Sequence, residues 1–356
     1  MKAVILAGGA GTRLRPLTNN LPKPMVPILN RPFLEHMLDS LGSHGITDVI
    51  ITVSYLSDKI KGHFGEYGYS NMNLHYVLEE DPLGTAGAVK NVENLLDGTF
   101  LVLNGDIFTN LDISKMLLFH NNVDSKATLF LKEVSDPSQF GVVEMEGNGY
   151  IHKFIEKPDP GQTESNWING GVYILEPDIL TLAPENEFYM FERGLFPTLL
   201  EAGIPMYGYR DDPYWIDLGT PLNYLRVNHD LLNSVGESMI AGNSSALNTD
   251  GCFVHPSAII EGSVIMGRDC FIGAGSVIQG PTVLGSGVTI GEENKISGSV
   301  LWDGVHIGNQ VILAECILAE GVTVNDKVNI GSLCMVAAGM NVTTHLESGI
   351  SLGSTG

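Results

Sequence analysis

The sequence is short of three things: long apolar runs, basic residues and paired cysteines. No apolar run approaches the roughly 18 residues of a membrane-spanning helix, and the run at the amino terminus is shorter than the core of a secretory signal. Nineteen Lys and Arg residues stand against 41 Asp and Glu, for a net charge of −22, which argues against broad nucleic-acid or anionic-lipid surfaces. The four cysteines form no C-x-x-C pair, so no thiolate metal motif is present. We therefore expect a cytoplasmic protein without nucleic-acid or membrane partners.

The basic residues that are present gather near the amino terminus, around a glycine-rich loop. Up to residue 34 the chain carries five Lys or Arg residues and no Asp or Glu. The apolar run Ala3–Leu6 predicts a buried first strand. The glycines and then three of the cations follow this strand: Gly8, Gly9, Gly11, Arg13, Arg15 and Lys23. Glycine allows positive φ and close approach of N–H groups to an anion, and the cations neutralise its charge. The loop therefore predicts phosphate binding.

The spacing of this loop excludes two commoner phosphate motifs. A Walker loop needs Lys followed by Ser or Thr, and no such pair follows these glycines. A dinucleotide fingerprint needs a third glycine where this chain has Leu14. What remains, GGAGTRLRPLT followed by PKP, resembles the signature of the sugar-1-phosphate nucleotidyltransferases, which join a nucleoside triphosphate to a sugar phosphate and release pyrophosphate. The resemblance assigns the nucleotide to Leu6, Gly8, Gly9, Gly11, Thr12 and Arg13, with Lys23 bridging toward the transferring phosphorus.

Short strands alternate with helical stretches over residues 1–230, which we assign to a catalytic domain. Strands are predicted at 49–53, 74–78 and 100–103, and helices at 33–44, 57–64 and 86–96. This alternation predicts an α/β, Rossmann-like domain with a mixed, mostly parallel sheet. Ligands of such sheets gather at the carboxyl ends of strands. The glycine loop and Asn104-Gly105-Asp106 are therefore expected at that edge.

The carboxyl-terminal region has a different pattern. Residues 231–250 are rich in Ser, Asn and Gly and predict a linker. Over 251–345 apolar residues recur every six positions in two registers, with a slip between Trp302 and Cys316, which predicts a parallel β-helix; residues 346–356 form a tail. The hexads resemble left-handed β-helix domains, whose coils take three hexads, and such domains often associate, so we expect a homo-oligomer. The cysteines fall in pairs 18 residues apart, Cys252 with Cys270 and Cys316 with Cys334. We expect them to stack on neighbouring coils as reduced thiols.

Two aspartates are candidate ligands of Mg²⁺, the cofactor that the family resemblance implies. Asp106 sits where a strand should end, and hard cations prefer carboxylate and phosphate oxygen. Asp217, in WIDLGT, resembles the family's second metal-binding aspartate. A lone Asp after a strand is commonly a cap or turn residue, but here both motifs occur in the order of the family.

Further motifs resemble the family's sugar-phosphate site. In that site the Lys of Glu156-Lys157-Pro158 contacts the phosphate and the Glu contacts sugar hydroxyls. Asn169 offers both donors and acceptors, which suits a hydroxyl-rich ligand. The full set of expected sugar-phosphate contacts is Gly141, Glu156, Lys157, Asn169 and Gly170.

The choice of base is predicted from Glu79. Gly84 and Thr85 begin a turn that resembles the family's base-binding turn, and thymidylyl- and uridylyltransferases commonly have Gln five residues before its first glycine. A carboxylate at that position only accepts hydrogen bonds, so it matches the N1–H and N2–H₂ donors of guanine and repels uracil O2 and O4. The PLGTAG form also resembles the mannose-1-phosphate guanylyltransferases. The expected substrates are therefore GTP and a sugar-1-phosphate, with mannose-1-phosphate favoured.

The reaction implied by the resemblance is in-line attack of the sugar-phosphate oxygen on the α-phosphorus. No general base is needed, because a phosphate monoester with a second pKa near ~6 is largely dianionic at neutral pH. The groups expected to carry catalysis are Arg13, Lys23, Asp106, Lys157 and Asp217. Three alternatives stay open: glucose-1-phosphate with UTP or dTTP, a non-catalytic regulatory homologue, and a second acyltransferase activity based on a histidine of the β-helix. The histidines available for the last are His255, His306 and His345.

Overall fold

The structure, a computed structural model, describes residues 1–9, 11–54, 56–65, 68–240 and 250–353. They form two compact units. The first consists of Met1–Ala10 and Leu34–Ile216, and the second of Gly11–Phe33 and Asp217–Gly356. This division differs from the boundary near residue 230 expected from sequence. The basic segment Gly11–Phe33 belongs to the same unit as the hexad region, and that unit begins again at Asp217.

The helices and strands of the described residues have the following bounds. The α-helices are α1 (Phe33–Ser43), α2 (Ser57–Phe64), α3 (Gly84–Lys90), α4 (Ile113–Asn122), α5 (Phe196–Glu201) and α6 (Pro221–Ile240). The strands up to residue 217 are β1 (Lys2–Leu6), β2 (Pro27–Ile28), β3 (Arg31–Pro32), β4 (Asp48–Val53), β5 (Gly68–Tyr69), β6 (Met72–Leu78), β7 (Phe100–Asn104), β8 (Ile107–Thr109), β9 (Ala127–Glu133), β10 (Gly141–Met145), β11 (Ile151–Glu156), β12 (Trp167–Leu175), β13 (Met206–Arg210) and β14 (Trp215–Asp217).

The first unit is built on a mixed sheet in the order β11-β10-β12-β7-β1-β4-β6-β5, with β9 and β13 attached beside β12. β1, β4, β6 and β7 run parallel, and β12 runs antiparallel to β7. Ala3, Val4 and Ile5 of the central strand β1 are completely buried, because both faces of a parallel sheet are covered. The predicted α/β class is confirmed. The carboxyl ends of β1 and β7 lie side by side, since Leu6 pairs with Asn104.

The predicted elements match the structure closely except in one helix. The strands and the first two helices agree to within two residues at each end. The helix predicted over 86–96 instead begins at Gly84, ends at Lys90 and is followed by a 3₁₀ turn, Glu93–Leu95. Val92, with φ −109° and ψ 9°, has left the helical region. This break separates the two short helical segments.

Helix α6 occupies the first half of the predicted linker. It continues to Ile240, although Ser, Asn and Gly become frequent from residue 233 onward. Tyr224, Leu225 and Leu232 are buried along it, and packing of an apolar stripe overrides weak local propensity. Residues 241–249 of the predicted linker lie outside the described residues. Among the described helices, none combines the length and apolarity needed to span a membrane.

The hexad region forms a parallel β-helix with three faces. The first face contains β15 (Phe253–Val254), β18 (Phe271–Ile272), β21 (Thr289–Ile290), β24 (His306–Ile307), β27 (Thr323–Val324) and β30 (Asn341–Val342). The second contains β16 (Ile259–Glu261), β19 (Val277–Gln279), β22 (Lys295–Ser297), β25 (Ile312–Ala314) and β28 (Asn329–Ile330). The third contains β17 (Val264–Met266), β20 (Thr282–Leu284), β23 (Val300–Leu301), β26 (Ile317–Leu318), β29 (Met335–Val336) and β31 (Ser351–Leu352). The predicted inward residues form one core. The β-helix also extends into the expected tail at 346–356, because β31 pairs with β29 and Leu346 and Leu352 pack against this core.

The register of the coils differs in detail from the prediction of a single slip. Phe271 pairs with Thr289, 18 residues on, whereas Val283 pairs with Val300, 17 residues on. Two corners have each lost one residue, so the buried series steps by five at Ile296–Leu301 and again at Leu313–Leu318. The hexad register between these two corners is regular, and the sequence pattern concealed it because the two short steps lie so close together.

The four cysteines lie in the β-helix as free thiols. Cys252 and Cys270 occupy neighbouring coils, as predicted, and the N–H of Cys270 donates to the Cys252 Sγ at 3.4 Å. Burial raises the pKa of Cys270 to about 11 and that of Cys316 to about 12. Thiols with such pKa values are unreactive at neutral pH, so these residues act as small apolar side chains.

Candidate functional site

The glycine loop begins at the end of β1 in the first unit. The carbonyl of Gly8 accepts a hydrogen bond from Ser54 Oγ at 2.7 Å, which fixes the backbone beside β4. A Cβ on Gly8 would lie 3.0 Å from Glu79 Oε1. A side chain at position 8 would press on the Glu79 carboxylate, and the structure thus brings together two residues that the sequence places 71 positions apart.

Glu79 is a buried carboxylate, only 8% exposed. Burial raises its pKa, and the N–H of Leu83, which donates to Oε2 at 3.3 Å, opposes that shift. Its other oxygen faces Gly8. The result is a hydrogen-bond acceptor held against the glycine loop, where a ligand with two adjacent N–H donors could bind it.

The rest of the glycine loop belongs to the second unit. Gly11 has φ +59° and precedes the 3₁₀ turn Thr12–Leu14, and its carbonyl accepts from Thr18 Oγ1 at 2.8 Å. Of the three loop glycines, Gly11 uses the positive φ that glycine allows, whereas Gly8 and Gly9 do not. A Cβ added to Gly9 would have no atom of the described residues within 4 Å, apart from its chain neighbours. A ligand could therefore approach the backbone at Gly9.

Two predicted phosphate-binding cations converge on a predicted catalytic aspartate in the second unit. Arg13 Nη1 lies 3.4 Å from Asp217 Oδ2, and Lys23 Nζ lies 3.8 Å from Asp217 Oδ1. The Lys23 side chain is almost completely buried, a costly position for an ammonium group unless it is paired. A Cβ on Gly219 would lie 2.5 Å from Arg13 Cζ, so Gly219 makes room for the guanidinium. Gly219 lies in the WIDLGT motif, but the sequence alone does not indicate this role.

The turn from Gly84 to Gly87 is closed by a neighbouring segment of the same unit. Gly84 has φ +73°, and a Cβ there would lie 2.7 Å from the carbonyl oxygen of Tyr189. A Cβ on Gly87 would lie 2.7 Å from the carbonyl of Glu187. Thr85 Oγ1 donates to Glu192 Oε2 at 3.1 Å and accepts from the N–H of Phe191 at 2.9 Å. Packing therefore accounts for these residues, and base binding by Gly84 and Thr85 stays a prediction.

Strands β10 and β11 carry part of the predicted sugar-phosphate site. Gly141 pairs with Glu156 across the two strands, and a Cβ on Gly141 would lie 3.0 Å from Glu156 Oε2. Lys157 follows β11 with φ +50°, its N–H donating to the carbonyl of Phe140 at 3.0 Å. Its side chain is exposed. The hairpin thus holds a carboxylate and an ammonium group at one end.

Asn169 and Gly170 lie in β12, beside a bulge in its pairing with β9. Asn169 Nδ2 donates to Tyr173 Oη at 2.8 Å, and Asn169 Oδ1 accepts from the N–H of Gly171 at 3.1 Å. The carbonyl of Gly170 accepts from Trp215 Nε1 at 2.9 Å. Each atom of the Asn169 amide can form one further hydrogen bond, so the side chain is oriented and still able to bind a hydroxyl.

Three polar groups near these strands were missed by sequence reasoning. Tyr173 is fully buried, and burial raises its pKa. Burial also raises the pKa of Glu192, which lies in the π-helical segment Phe191–Leu195. Asn104 Oδ1 is buried with no hydrogen-bond partner among the described residues, which is unusual for a native acceptor. Tyr173 follows the predicted contacts Asn169 and Gly170 in the same strand and could have been found there, but no sequence signal marks Glu192.

The two candidate metal ligands are Asp106 and Asp217. Among the described residues, no group of three or more His, Cys, Asp or Glu side chains could hold an ion. Mg²⁺ commonly takes one or two carboxylates and completes its shell with water and substrate phosphates, so Asp106 and Asp217 fit it by donor chemistry. Asp106 follows a tight approach of β7 to β1, since a Cβ on Gly105 would lie 2.4 Å from the carbonyl of Leu6.

Comparisons with known proteins agree with the motifs. Residues 2–234 match the Nucleotidyl transferase family, and residues 244–347 match the EIF2B subunit epsilon LbH domain. The mannose-1-phosphate guanylyltransferase of Mycobacterium tuberculosis is 35% identical over 86% of this chain and 80% of its own. The UTP–glucose-1-phosphate uridylyltransferase of a Synechocystis species is 35% identical over 65% of this chain and 64% of its own.

A solved structure shares the same fold. The crystal structure of HddC from Yersinia pseudotuberculosis complexed with GMP-PN matches with a TM-score of 0.55 and 30% identity, over 65% of this chain and 99% of that one. The match to the LbH domain agrees with the left-handed β-helix expected from the hexads. The family match spans the whole α/β region that carries the signature loop, so this chain belongs to the nucleotidyl transferase family.

Proposed function

We propose that this protein transfers a guanylyl group from GTP to mannose-1-phosphate, giving GDP-mannose and pyrophosphate. Membership of the family supports nucleotidyl transfer, and several relatives are named mannose-1-phosphate guanylyltransferases or guanyltransferases. The structural observation that carries the choice of base is the buried Glu79 carboxylate against Gly8.

Glu79 selects guanine through hydrogen-bond matching. Its carboxylate accepts from both N1–H and N2–H₂ of guanine, whereas uracil would present acceptor oxygens to it. Acceptors buried against one another cost about 1–3 kcal/mol, which corresponds to roughly tenfold discrimination or more. Burial at 8% exposure makes this penalty effective, because bulk water cannot replace the missing donors.

The phosphates bind to the basic residues of the glycine loop. Arg13 and Lys23 neutralise the triphosphate and the leaving pyrophosphate, and the exposed Lys157 holds the sugar phosphate. The sugar-phosphate oxygen forms a bond to the α-phosphorus while the bond from that phosphorus to the pyrophosphate oxygen breaks. Catalysis is positioning and charge stabilisation. No proton need be removed, because the attacking phosphate is already ionised.

Magnesium would be held by Asp106 and Asp217. This assignment rests on the order of the two motifs in the sequence and on the hard oxygen donors they provide. When bound, the ion supplies neutralisation of charge on the phosphates. We also propose, from composition and from the β-helix, that the protein works in the cytoplasm as a homo-oligomer.

A second candidate function is uridylyl or thymidylyl transfer to glucose-1-phosphate. The observation that favours it is the 35% identity to a uridylyltransferase, equal to that of the guanylyltransferase from M. tuberculosis. Overall identity thus does not separate the two, and the choice depends on individual residues such as Glu79.

Pyrophosphate release from a substrate matrix tests the proposal. Four nucleoside triphosphates are crossed with mannose-, glucose- and N-acetylglucosamine-1-phosphate, and kcat/KM is measured for each pair. We expect GTP with mannose-1-phosphate to be preferred by at least about tenfold. A preference for UTP or dTTP with glucose-1-phosphate would establish the second candidate.

The metal assignment has its own test. Asp106→Asn should lower kcat by at least about 100-fold at any magnesium concentration, with an unchanged thermal unfolding midpoint. Asp112→Asn, which alters the exposed cap of α4, is the control and should keep its turnover. Near-normal turnover by the Asp106 variant would refute its metal role.

A further inference from the structure

The β-helix and the basic segment Gly11–Phe33, called the signature segment below, are parts of one compact unit. The three faces of the β-helix differ in how their outward side chains are exposed. On the first and second faces, Phe271 and Ile312 are 42% and 45% exposed. On the third face, four outward side chains are at most 3% exposed: Val283, Val300, Ile317 and Met335. The third face is therefore covered, although outward positions of a β-helix normally face water.

The signature segment contacts the third face at two points. Asn30 Nδ2 donates to the carbonyl of Leu284, the last residue of β20, at 2.7 Å. A Cβ on Gly353, directly after β31, would lie 2.5 Å from Pro16 Cβ. β20 is the second and β31 the sixth of the six strands of this sheet, so the two contacts are separated by three intervening strands.

Helix α6 joins the same face through its first turns. Trp302, which follows β23, donates from Nε1 to Tyr224 Oη at 3.0 Å, and the Tyr224 hydroxyl donates in turn to the carbonyl of Pro27. Tyr224 is fully buried and Trp302 nearly so. His229 Nε2, one turn further along, donates to the carbonyl of Gly298 at 2.9 Å. The Tyr224 hydroxyl thus bridges the β-helix to the signature segment.

The same helix also bonds the chain around Lys23 and Asp217, two of the residues proposed for catalysis. Asn223 Nδ2 donates to the backbone carbonyl of Asp217 at 2.7 Å, and Asn228 Oδ1 accepts from the N–H of Leu29 at 2.9 Å. Pro27 is the second residue after the 3₁₀ turn Lys23–Met25, and Lys23 pairs with Asp217 at 3.8 Å. Helix α6 therefore bonds the backbone of Asp217 directly and bonds the segment that follows the Lys23 turn at Pro27 and Leu29.

We propose that Trp302 and Tyr224 are positioning residues for phosphate binding: the β-helix, through the chain Trp302–Tyr224–Pro27, sets the placement of Lys23 and its neighbouring cation Arg13. The β-helix then serves the reaction directly and is more than an assembly module. Displacement of a phosphate-binding group by a fraction of an ångström weakens binding, and a 1 Å error costs about 100-fold in rate. The inference rests on the proposed binding of phosphate by Arg13 and Lys23, and it does not depend on which base or sugar the protein uses.

The test uses the full-length protein with two conservative variants. Trp302→Phe removes the indole donor and keeps an aromatic ring, and Tyr224→Phe removes only the bridging hydroxyl. The matched control is Ser276→Ala. Ser276 is a buried β-helix residue whose Oγ donates to the carbonyl of Gly291 at 2.8 Å, with no hydrogen bond to the signature segment. Unfolding midpoints are measured for all three, so that loss of stability can be compared with loss of function.

The readouts are the calorimetric Kd of inorganic pyrophosphate in magnesium buffer and the separate KM values for GTP and mannose-1-phosphate. We expect each variant at 302 or 224 to raise the pyrophosphate Kd and the KM for GTP about fivefold, and to leave the KM for mannose-1-phosphate within about twofold. Ser276→Ala should lower the midpoint without raising the pyrophosphate Kd. Equal effects of the three substitutions, or none on pyrophosphate, would overturn the proposal.

A double-mutant cycle separates positioning from general damage. In a Lys23→Met background, the effect of Trp302→Phe on the pyrophosphate Kd should shrink to less than about half, because the group being positioned is gone. Full additivity would overturn the proposal. If the wild-type chain binds pyrophosphate but prefers UTP, the proposed base and sugar fail while these binding results still decide the role of Trp302.

Discussion

The two glycine turns of the first unit look alike in sequence and differ in the structure. A Cβ added to Gly9 would have no atom of the described residues within 4 Å, whereas a Cβ added to Gly84 would lie 2.7 Å from a backbone carbonyl oxygen. The first turn leaves its backbone accessible beside the Glu79 carboxylate. The segment 187–192 packs against the second turn, and the carbonyl of Tyr189 accepts hydrogen bonds from the N–H groups of Ala86 and Gly87.

A family motif can therefore combine residues that are open to a ligand with residues that are covered by protein. Donors already bonded to protein cannot bind a base, so the N–H groups of Ala86 and Gly87 are committed. Glu79, five residues before Gly84, retains an oxygen that faces the open loop. Within this motif the proposed reading of the base therefore depends on the Glu79 carboxylate and not on the N–H groups of Ala86 and Gly87.

The largest effect is expected from Gly84→Ala. A methyl group there meets the Tyr189 carbonyl at 2.7 Å and must adopt φ +73°, so we expect a loss of about 3 kcal/mol or more in the free energy of unfolding. The control is Gly203→Ala, whose glycine has φ +67° and open space around it. It should lose only about 1 kcal/mol, the cost of left-handed backbone. Equal losses in chemical denaturation would show that the second turn is not closed by packing.

The next effect concerns specificity. Glu79→Gln replaces a pure acceptor by a side chain that also donates, so the ratio of kcat/KM for GTP to that for UTP should fall by about tenfold or more. Glu80→Gln, at the neighbouring exposed position, is the control and should leave the ratio unchanged. A full panel of triphosphates gives the measurement. An unaltered ratio in the Glu79 variant would remove the argument for guanine.

Sequence reasoning succeeded where a pattern is local. Apolar residues spaced by two or about 3.6 positions predicted the strands and helices of the α/β region. Apolar residues spaced by six positions predicted the core of the β-helix from Ile260 to Val342. The motifs also marked Arg13, Lys23 and Asp217 as candidate site residues, and in the structure each of the two cations lies within 4 Å of the Asp217 carboxylate.

The sequence did not predict features that depend on contacts between residues far apart in the chain. The closure of Gly84 depends on Tyr189, about a hundred residues away, and the continuation of α6 depends on burial of Leu232. The grouping of the signature segment with the β-helix could not be predicted either, because Asn30 and Leu284 are 254 residues apart. Contacts of this kind have no periodic signal in a single sequence.

A smaller effect is expected from Gly9→Ala. The added methyl group meets no protein atom within 4 Å, so the unfolding midpoint should move by less than about 1 °C. If phosphate oxygens approach this backbone, the methyl group should raise the KM for the triphosphate by about fivefold. Gly98→Ala, also in open space but remote in sequence from the loop, is the control for both readouts. An unchanged KM in the Gly9 variant would separate this glycine from the phosphate site.

The smallest expected effect is a pH-dependent change in the free energy of unfolding at Glu192, which lies in the segment 187–192 that covers the second turn. Burial raises the pKa of Glu192 above its ordinary value of 4.5, so the folded state holds this proton more tightly than the unfolded state. Stability from this group is therefore present at low pH and is lost as the pH rises through the raised pKa. Glu192→Gln removes the charge and can still accept from Thr85 Oγ1, so it should be more stable than wild type by up to about 1 kcal/mol at pH 8 and lose that advantage near pH 4. Urea unfolding across this range gives the measurement, with the exposed Glu201→Gln as control. A difference that does not change with pH would mean that Glu192 is as well solvated in the fold as in the unfolded chain, and that the segment 187–192 does not seal the turn at Thr85.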